Sequence, residues 1–553
     1  MTVPGRAALA AYARPALAFL AVPAFAFLAP VAARRAAPAA ARAAAPQAAD
    51  STVVGPPHGT VVVVGGGAIG PDINDRFIAA AGGPDALIID VPNAGGGSHY
   101  DDNAAGARRL RAAGARNVRV LFTTDRKLAD SDSFVALLKH AGGVWFDGGR
   151  QYRLVDAYGG TKTEQAFHDV LARGGVVGGS SAGATILGDF LVRGAPSNDN
   201  TIMDYPGYGK VGFAFLRGVA IDQHVVARER LPDLADSIMP RYPELLGMSE
   251  DEGTAWIVRG DTATIVGRNK AFVYGGHDAN DPGKPFLTLH PGDRYNLATR
   301  RVIHRAADDA PFTRAFVDSL FERYAGGESG DGARGAQAGP GRAGGVGGSG
   351  RAGGMATALV ARRGEVFVDT SYGVPPQPRF MPTTTLPQFS LDSISSIFSA
   401  LCAQLPAPPT ELRAGPARSA AAREAAERWR RMTPLQRCVA RNIARAVGFH
   451  RTEADSAGVV RSDVDELYRL ELGLEDPHTW PDTDRTRGWT AETHDGVTWL
   501  TAYGLPGGRR AAFIRIPDRH AVVIVLTDDD AADARGIASR IAERLATPAP
   551  GSG

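Results

Sequence analysis

Cysteine is nearly absent from this sequence, with two residues in 553. That number excludes a disulfide-stapled scaffold, a four-cysteine zinc site and an iron–sulfur cluster. Charge of one sign is also lacking: 61 basic and 59 acidic residues give a net charge of +2, which does not favour nucleic acid or an anionic membrane surface as a partner. Beyond residue 35, no stretch approaches the roughly 20 unbroken apolar residues of a membrane span. With 44% hydrophobic residues, the sequence predicts a globular protein of two to four domains.

The first 33 residues have the three parts of a secretory signal peptide. Two arginines precede an apolar run over residues 15–29, and small residues follow at 31–33 with the spacing of a cleavage site. Prolines within and just past the run argue against the alternative, an uncleaved anchor helix. We therefore predict a secreted or periplasmic protein with no membrane span after signal cleavage. Residues 34–55 follow as a low-complexity spacer.

A glycine-rich segment over residues 326–354 divides the remaining chain. It contains 14 glycines in 29 residues and one sizeable hydrophobic residue, too little apolar surface to offset its ordering entropy. It predicts a flexible linker between a domain at 56–310 and a second domain at 355–547. In an exported protein Cys402 and Cys438 could form one disulfide, although the sequence does not establish that their geometry allows it.

Short apolar strands alternate with helical segments in the first domain. This order predicts an α/β fold in which a mostly parallel sheet is flanked by helices on both faces. The strands are predicted at Thr60–Val64, Ala86–Val91, Val118–Phe122 and Gly143–Phe146, and the helices at Ala104–Ala115 and Asp132–His140.

Residues 176–184 have the pattern of a strand, a tight turn of small residues and the start of a helix. Within them, Gly179-x-Ser181-x-Gly183 has the frame of a nucleophile elbow, in which a strained turn holds the serine oxygen above the sheet. The helix that begins there offers backbone N–H groups to a developing oxyanion. Ser180 competes as the nucleophile, although its own frame does not end in glycine. The alternative is a structural glycine–serine loop.

A serine nucleophile needs a general base, and His224 is the candidate because it ends an apolar strand that follows the elbow in the chain. The alternative is a structural histidine. A third group must orient the imidazole, and spacing alone does not choose among the acids available: Asp222, Asp199, Asp204 and Glu252.

The loop over residues 65–70 has the glycine spacing of a dinucleotide fingerprint. Pro71 would interrupt the helix that should hold the pyrophosphate, so we predict a structural turn beside the active site and no cofactor. Residues 99–102 (His-Tyr-Asp-Asp) lack a spaced partner histidine motif, so no metal site is predicted.

Four short motifs follow one another over residues 60–305. They are Gly148-Gly149-Arg150-Gln151, Gly178-Gly-Ser-Ser181-Ala-Gly-Ala184, Asp222-Gln-His224-x-x-x-Arg228-x-Arg230 and Asp251-Glu252-Gly-Thr-Ala255. The set resembles the cyanophycinase and dipeptidase E group of serine peptidases, and the third motif favours the cyanophycinase branch. The resemblance implies a class I glutamine amidotransferase-like, flavodoxin-like fold with serine in place of cysteine. A glutamine amidotransferase is disfavoured because the first 400 residues contain no cysteine.

The resemblance also implies a role for each matched residue. Ser181 would be the nucleophile, His224 the general base and Glu252 the orienting acid. Backbone N–H groups of Gly149 and Ala182 would form the oxyanion hole. Five side chains would line the substrate site: Gln151, Asp222, Gln223, Arg228 and Arg230.

The substrate implied by the resemblance is cyanophycin, a poly-aspartate chain with arginine on each side-chain carboxyl, cut to β-aspartyl-arginine dipeptides by an exopeptidase. Paired arginines suit a terminal carboxylate, and acids such as Asp222 suit a guanidinium. Two residues depart from the family pattern: Arg150 replaces an acid or amide, and Asp233 replaces a third arginine. We expect a peptide or cyanophycin-like polymer as substrate. The alternatives are a dipeptidase for aspartyl or isoaspartyl peptides and a non-catalytic peptide-binding protein.

The second domain resembles a degenerate serine β-lactamase, a smaller α+β fold. Residues 356–368 are similar to the opening hairpin of that family, and Ser393 stands where the family has the serine of Ser-x-x-Lys. Ser396 replaces the lysine, which removes the group that would activate Ser393. Residues 494–496 (His-Asp-Gly) could replace the Lys-Thr-Gly strand. We predict a non-catalytic module for binding or dimerisation, and with it a possible homodimer.

Overall fold

The structure of the protein is a computed structural model that describes residues 54–193, 203–204, 211–275, 284–322, 324, 354–373, 388–411, 420–504, 510–529 and 531–546. The predicted signal peptide, most of the predicted spacer and all but the last residue of the predicted linker lie outside the described residues. The described residues belong to one compact unit. We distinguish within it an N-terminal region, residues 54–324, and a C-terminal region, residues 354–546.

Strands and helices alternate through the first part of the N-terminal region. The strands are β1 (Thr60–Val64), β2 (Ile88–Val91), β3 (Val118–Val120), β4 (Gly143–Phe146), β5 (Val176–Ser180), β6 (Gly188–Phe190), β7 (Val192–Arg193), β8 (Met203–Asp204), β9 (Leu216–Gln223), β10 (Leu246–Glu250), β11 (Thr254–Arg259), β12 (Thr262–Gly267), β13 (Ala271–Tyr274), β14 (Phe286–Leu289), β15 (Arg294–Asn296) and β16 (Arg301–His304). The helices are α1 (Pro71–Ala80), α2 (Ala105–Ala112), α3 (Arg126–Ala129), α4 (Tyr152–Tyr158), α5 (Lys162–Ala172), α6 (Ala182–Thr185), α7 (Leu231–Asp233) and α8 (Arg314–Leu320). The segment predicted as a helix at 132–140 contains instead a 3-10 helix over Val135–His140.

Strand β1 lies inside a sheet whose order, in the described part of the chain, is β16-β15-β12-β11-β1-β5-β4-β2-β3. Successive side chains of a strand point to opposite faces. Val61 and Val63 therefore pack into one hydrophobic core, and Val62 and Val64 into another. Side chains of α4 and α5 belong to the first core and those of α1 and α2 to the second. The predicted α/β class, a sheet covered by helices, is confirmed.

The sheet is parallel on one side of β1 and antiparallel on the other. Strands β1 to β5 of this sheet pair in parallel, whereas β11, β12, β15 and β16 add antiparallel pairs. The prediction of a mostly parallel sheet therefore describes only half of it. Hairpins explain the difference, since a two-residue turn such as that between β11 and β12 can join only antiparallel strands.

A second sheet, with the order β14-β13-β10-β9-β6, carries two of the predicted catalytic residues to one edge. Strands β9 and β10 run in parallel, with Gln223 opposite Glu250. The residues that follow these strands, His224 and Glu252, therefore emerge side by side, where ligands bind in α/β sheets.

The C-terminal region is built on a six-stranded antiparallel sheet of order β18-β17-β25-β24-β23-β22 among the described residues. Its strands are β17 (Ala356–Arg362), β18 (Glu365–Tyr372), β19 (Phe389–Ser390), β20 (Glu453–Ala454), β21 (Val460–Ser462), β22 (Thr490–His494), β23 (Val497–Gly504), β24 (Ala511–Ile516) and β25 (Ala521–Thr527). Its helices are α9 (Ser395–Cys402), α10 (Ala420–Arg431), α11 (Pro434–Cys438), α12 (Ala444–Val447), α13 (Val464–Glu475) and α14 (Ala534–Ala546). Residues 495–496 turn between β22 and β23.

A disulfide joins Cys402 at the end of α9 to Cys438 at the end of α11. It ties together helices whose apolar side chains share one core with β17 and β24. Among the described residues, no helix is both long and apolar enough to cross a bilayer.

Candidate active site

Ser181 stands at the sharp turn between β5 and α6. Its backbone has φ 58° and ψ −120°, a strained conformation for a residue with a side chain, and strain of this kind clusters at functional sites. The turn leaves Ser181 partly exposed above the sheet, while Ala182 behind it is buried. This local geometry is that of a nucleophile elbow.

Ser181, His224 and Glu252 form a continuous chain of hydrogen bonds. Ser181 Oγ lies 2.9 Å from His224 Nε2, and His224 Nδ1 lies 2.5 Å from Glu252 Oε1. The His224 side chain is 6% exposed, so it is shielded from bulk water. A serine, a base within reach of its hydroxyl and an acid on the far side of the base constitute the machinery of nucleophilic acyl transfer.

The electrostatics of Glu252 suit an orienting acid. Burial opposes its ionisation, but hydrogen bonds from His224 and His450 outweigh burial and hold the pKa of the Glu252 carboxyl well below its usual range. The residue is therefore a carboxylate over the whole physiological range, ready to stabilise a protonated His224.

Asp222 is engaged elsewhere. Its Oδ1 lies 3.0 Å from Arg230 Nη2 and accepts the N–H of Gln223, and the residue is 1% exposed. Burial raises the pKa of Asp222 to about 7, although Arg230 lowers it. Of the other two acids, Asp199 lies outside the described residues and Asp204 is described only as part of strand β8.

The two predicted oxyanion donors flank Ser181. The turn at Gly148 and Gly149 lies against the serine: a Cβ at Gly148 would come within 3.3 Å of Ser181 Cβ. Ala182 is the first residue of α6, so its N–H has no acceptor within the helix. The N–H of Ala182 thus lies next to the nucleophile, where it can stabilise a developing oxyanion. The Gly149 N–H follows the turn that contacts Ser181, and its role as the second donor stays a prediction.

The predicted substrate-binding side chains divide into one exposed residue and four buried ones. Arg228 is exposed beside the triad. The others are 1% to 5% exposed and serve the framework: Gln151 donates to the Val192 carbonyl, Gln223 donates to Thr185 Oγ1 at 3.3 Å, and Asp222 pairs with Arg230. The structure therefore does not bring Gln151, Asp222, Gln223 and Arg230 to an open substrate surface.

The two departures from the family pattern have different surroundings. Asp233 is 9% exposed and lies 3.5 Å from Arg230 Nε, so its negative charge is used in the buried ion pair and does not reach the site opening. Arg150 is partly exposed and close enough to Arg228 that, after burial and Arg230, its charge contributes to lowering the pKa of Arg228. Arg228 thus places a cation beside the triad, and Arg150 adds positive charge in its surroundings.

The glycine loop after β1 packs directly on His224 and Glu252. Gly66 has φ +100° and a Cβ there would overlap the His224 ring, while a Cβ at Gly67 would lie 2.6 Å from Glu252 Oε2. The sequence predicts a structural turn at this place, and the contacts explain why it consists of glycine. No group of three or more metal-binding side chains among the described residues is arranged to hold an ion.

Gly66→Ala is expected to lower turnover at least about 100-fold, because displacing a catalytic group by roughly 1 Å has an effect of that size. Turnover per folded molecule is the measurement. Gly83→Ala is the matched control, since Gly83 has the same φ of +100° and a Cβ at that position would have nothing within 4 Å. It introduces the same backbone strain without touching His224. Equal losses in both variants would contradict the steric explanation.

Two contacts from the C-terminal region reach Glu252 and its neighbour Asp251, and the sequence does not predict them. His450 Nε2 lies 3.3 Å from Glu252 Oε2, and Arg469 Nη2 lies 3.7 Å from Asp251 Oδ2. Neither residue belongs to a sequence motif. Only the pairing of the two regions in space brings them to the site.

Two comparisons by sequence match the N-terminal region. The model of peptidase family S51 matches residues 61–266. A cyanophycinase of Synechococcus elongatus is 31% identical over an alignment of 274 positions, which covers 45% of this chain and 82% of that protein.

Two solved structures also match parts of the chain. A peptidase from an acI-B1 actinobacterium is 21% identical, covering 44% of this chain and 98% of that one, with a TM-score of 0.35. A β-lactamase from Mycobacterium bovis is 16% identical, covering 34% and 95%, with a TM-score of 0.24. Both scores are below 0.5, so the fold assignment rests on the strand order. By its sequence match over most of the Synechococcus protein, the chain belongs to peptidase family S51, the cyanophycinase and dipeptidase E-like group of serine peptidases.

Proposed function

We propose that the protein is an exported exopeptidase that hydrolyses cyanophycin to β-aspartyl-arginine dipeptides. The observation that carries the proposal is the Ser181–His224–Glu252 hydrogen-bond chain in a protein 31% identical to a cyanophycinase. The peptidase chemistry follows from the family, and the polymer substrate is the further step.

The reaction proceeds in two halves. Ser181 Oγ attacks the scissile carbonyl carbon while His224 Nε2 accepts the hydroxyl proton, and the resulting oxyanion accepts hydrogen bonds from the N–H groups of Gly149 and Ala182. The C–N bond breaks as His224 gives its proton to the leaving amine, which leaves an acyl-enzyme. Water then attacks the ester, again with His224 as base, and Ser181 recovers its proton. Glu252 stabilises the imidazolium in both halves.

Two cations support an acidic substrate. Arg228 is exposed beside the triad, and Arg150 lies near it. Guanidinium groups bind carboxylates through paired, charge-assisted hydrogen bonds. Cyanophycin offers carboxylates at its chain terminus and on the arginine attached to each side chain. In this proposal Arg150, which stands where the family pattern has an acid or amide, adds positive charge that favours an acidic substrate.

Incubation of the purified protein with cyanophycin and, in parallel, with a panel of β-aspartyl and isoaspartyl dipeptides tests the proposal. Mass spectrometry of the soluble products should identify β-aspartyl-arginine from the polymer, and Ser181→Ala serves as the blank. Cleavage of the dipeptides with intact polymer would instead assign the protein as a dipeptidase. Binding of either substrate without any cleavage would assign it as a peptide-binding protein.

Arg228→Gln is expected to raise the Michaelis constant about 10- to 150-fold with little change in kcat. A charge-assisted hydrogen bond contributes roughly 1.5–3 kcal/mol, and it is made equally in the ground and transition states. Arg217→Gln is the control, because Arg217 is an exposed arginine on β9, the strand that His224 follows. An unchanged Michaelis constant in Arg228→Gln would contradict a carboxylate contact.

Arg230, the buried arginine of the same motif, should behave differently from Arg228. Arg230→Gln leaves Asp222 buried without its cation, which destabilises proteins strongly. Its main effect should be a lower melting temperature, measured by thermal unfolding, and not a raised Michaelis constant.

Export is supported by two features. The first 33 residues have the sequence of a signal peptide, and Cys402 and Cys438 are disulfide-bonded, a state that persists in oxidising compartments. Fractionation of expressing cells, with N-terminal sequencing of the mature protein, tests this part of the proposal. An intact N-terminus in the cytoplasmic fraction would overturn it.

A further inference from the structure

The C-terminal region contacts the catalytic acid itself. The two carboxylate oxygens of Glu252 face different partners: Oε1 faces His224 Nδ1 at 2.5 Å, and Oε2 faces His450 Nε2 at 3.3 Å. A carboxylate accepts hydrogen bonds and cannot donate them. An attractive contact at this distance requires a proton on His450 Nε2, so a histidine nitrogen lies against each oxygen of the carboxylate.

His450 is itself held in place by the helix behind it. Its backbone N–H donates to Glu466 Oε1 at 2.6 Å, and the N–H of Arg451 donates to the same oxygen at 2.8 Å. Glu466 belongs to α13, whose N-terminus is capped by Asp463. The imidazole thus extends from a fixed backbone toward Glu252.

Buried ion pairs fix the C-terminal region against the N-terminal region at this place. Lys270, which directly precedes β13, lies 3.0 Å from Asp369 and 2.7 Å from Asp465. The lysine and Asp369 side chains are 6% and 2% exposed. Such a buried ion pair holds the two regions together, because separating the lysine from its carboxylates would leave buried charges uncompensated.

Asp251, the neighbour of Glu252, also contacts the C-terminal region. Asp251 Oδ1 accepts the N–H groups of Val226 and Ala227, in the loop that follows His224, at 3.2 and 2.9 Å. Its other oxygen lies 3.7 Å from Arg469, which also donates to the Gly448 carbonyl. The segment that carries His450 is therefore connected to the His224 loop through Arg469 and Asp251.

We infer that His450 is a positioning residue for hydrolysis and that the C-terminal region is part of the catalytic unit. His450 acts through Glu252: by holding Oε2 it keeps Oε1 directed at His224, which in turn keeps Nε2 directed at Ser181. The region resembles an enzyme that has lost its own catalysis, and it serves here to complete the active site of its neighbour. The inference rests on the proposed serine hydrolysis at this site and not on the identity of the substrate.

The test uses the full-length protein and a fluorophosphonate probe, which needs no knowledge of the natural substrate. The probe forms a bond between Ser181 Oγ and phosphorus, fluoride leaves, and His224 takes the proton. The rate of labelling thus reports the Ser181–His224–Glu252 geometry even if cyanophycin is not cleaved. Where a peptide substrate is found, kcat and the Michaelis constant are measured as well.

His450→Ala should slow labelling and lower kcat about 10-fold, the lower end of the effect of a hydrogen bond to a charged group, with the Michaelis constant unchanged. His450→Gln retains an N–H donor and should recover most of the rate. His520→Ala is the control, because His520 is a histidine of the same region whose side chain is 63% exposed. Its rate should equal that of the native protein.

Three outcomes would overturn the inference. One is a native labelling rate in His450→Ala. Another is an equal loss of rate in His450→Ala and His450→Gln together with a lower melting temperature, which would indicate a purely structural role. The third is a raised Michaelis constant with unchanged kcat, which would place His450 at the substrate instead of behind Glu252.

Discussion

Replacing Ser181 by alanine should lower hydrolysis by roughly 10⁴- to 10⁶-fold, the range found when the nucleophile of a serine peptidase is removed. Ser181 has the hydroxyl that lies 2.9 Å from His224 Nε2, and no proton transfer to the base is possible without it. What activity remains would come from the oxyanion donors and from binding. The measurement is initial rates on the cleaved peptide, at enzyme concentrations high enough to detect the residual reaction.

Ser180→Ala is the matched control, because it removes the same group from the adjacent residue. Ser180 ends β5, opposite Val64 in the sheet, and most of the activity should survive. The fluorophosphonate should label Ser181 and no residue of the C-terminal region. Labelling at Ser393 would contradict both the elbow assignment and the prediction that the C-terminal region is non-catalytic.

Glu252→Gln should lower turnover by about 10⁴-fold, as happens when the acid of a triad becomes an amide and the histidine takes the wrong tautomer. The effect follows from the 2.5 Å contact between Glu252 Oε1 and His224 Nδ1. An amide nitrogen at this position would meet the N–H of the histidine, and a neutral side chain would no longer stabilise the imidazolium. The change should appear in kcat, measured at saturating substrate.

Asp222→Asn separates the two acids that the sequence leaves open. Asp222 pairs with Arg230 and is 1% exposed, so its loss should reduce the melting temperature while turnover per folded molecule changes little. Crippled turnover in Asp222→Asn, with a nearly silent Glu252→Gln, would assign Asp222 as the orienting acid and leave Glu252 with a supporting role.

Local patterns made the elbow and the strands predictable. The small residues around Ser181 permit one tight turn between a strand and a helix, and β1 and β4 have the bounds that their apolar runs predict. His224 was predictable for the same reason, because it directly follows an apolar strand. These features depend on residues that are neighbours in the chain.

Burial and long-range pairing were not predictable from local sequence. The motif that contains Arg228 and Arg230 reads as two equivalent cations, yet one is exposed and the other is 4% exposed between Asp222 and Asp233. The choice of Glu252 among four acids came only from the resemblance. His450 lies in a different region of the fold, and no spacing rule relates it to Glu252.

Asp251 contacts two parts of the molecule, the loop after His224 and the C-terminal region. Its Oδ1 accepts N–H groups from the loop after His224. Its Oδ2 accepts a hydrogen bond from Asn269 at 2.5 Å and lies 3.7 Å from Arg469 of the C-terminal region. Ordering of the loop after His224 is therefore coupled to docking of the C-terminal region on the N-terminal region. Such coupling between two equilibria is reciprocal. If docking of the C-terminal region raises the affinity for a transition-state analogue at Ser181 by some factor, the bound analogue must favour docking by the same factor. By the same reasoning, we expect a molecule that binds the C-terminal region only when it is docked to activate the peptidase at a distance.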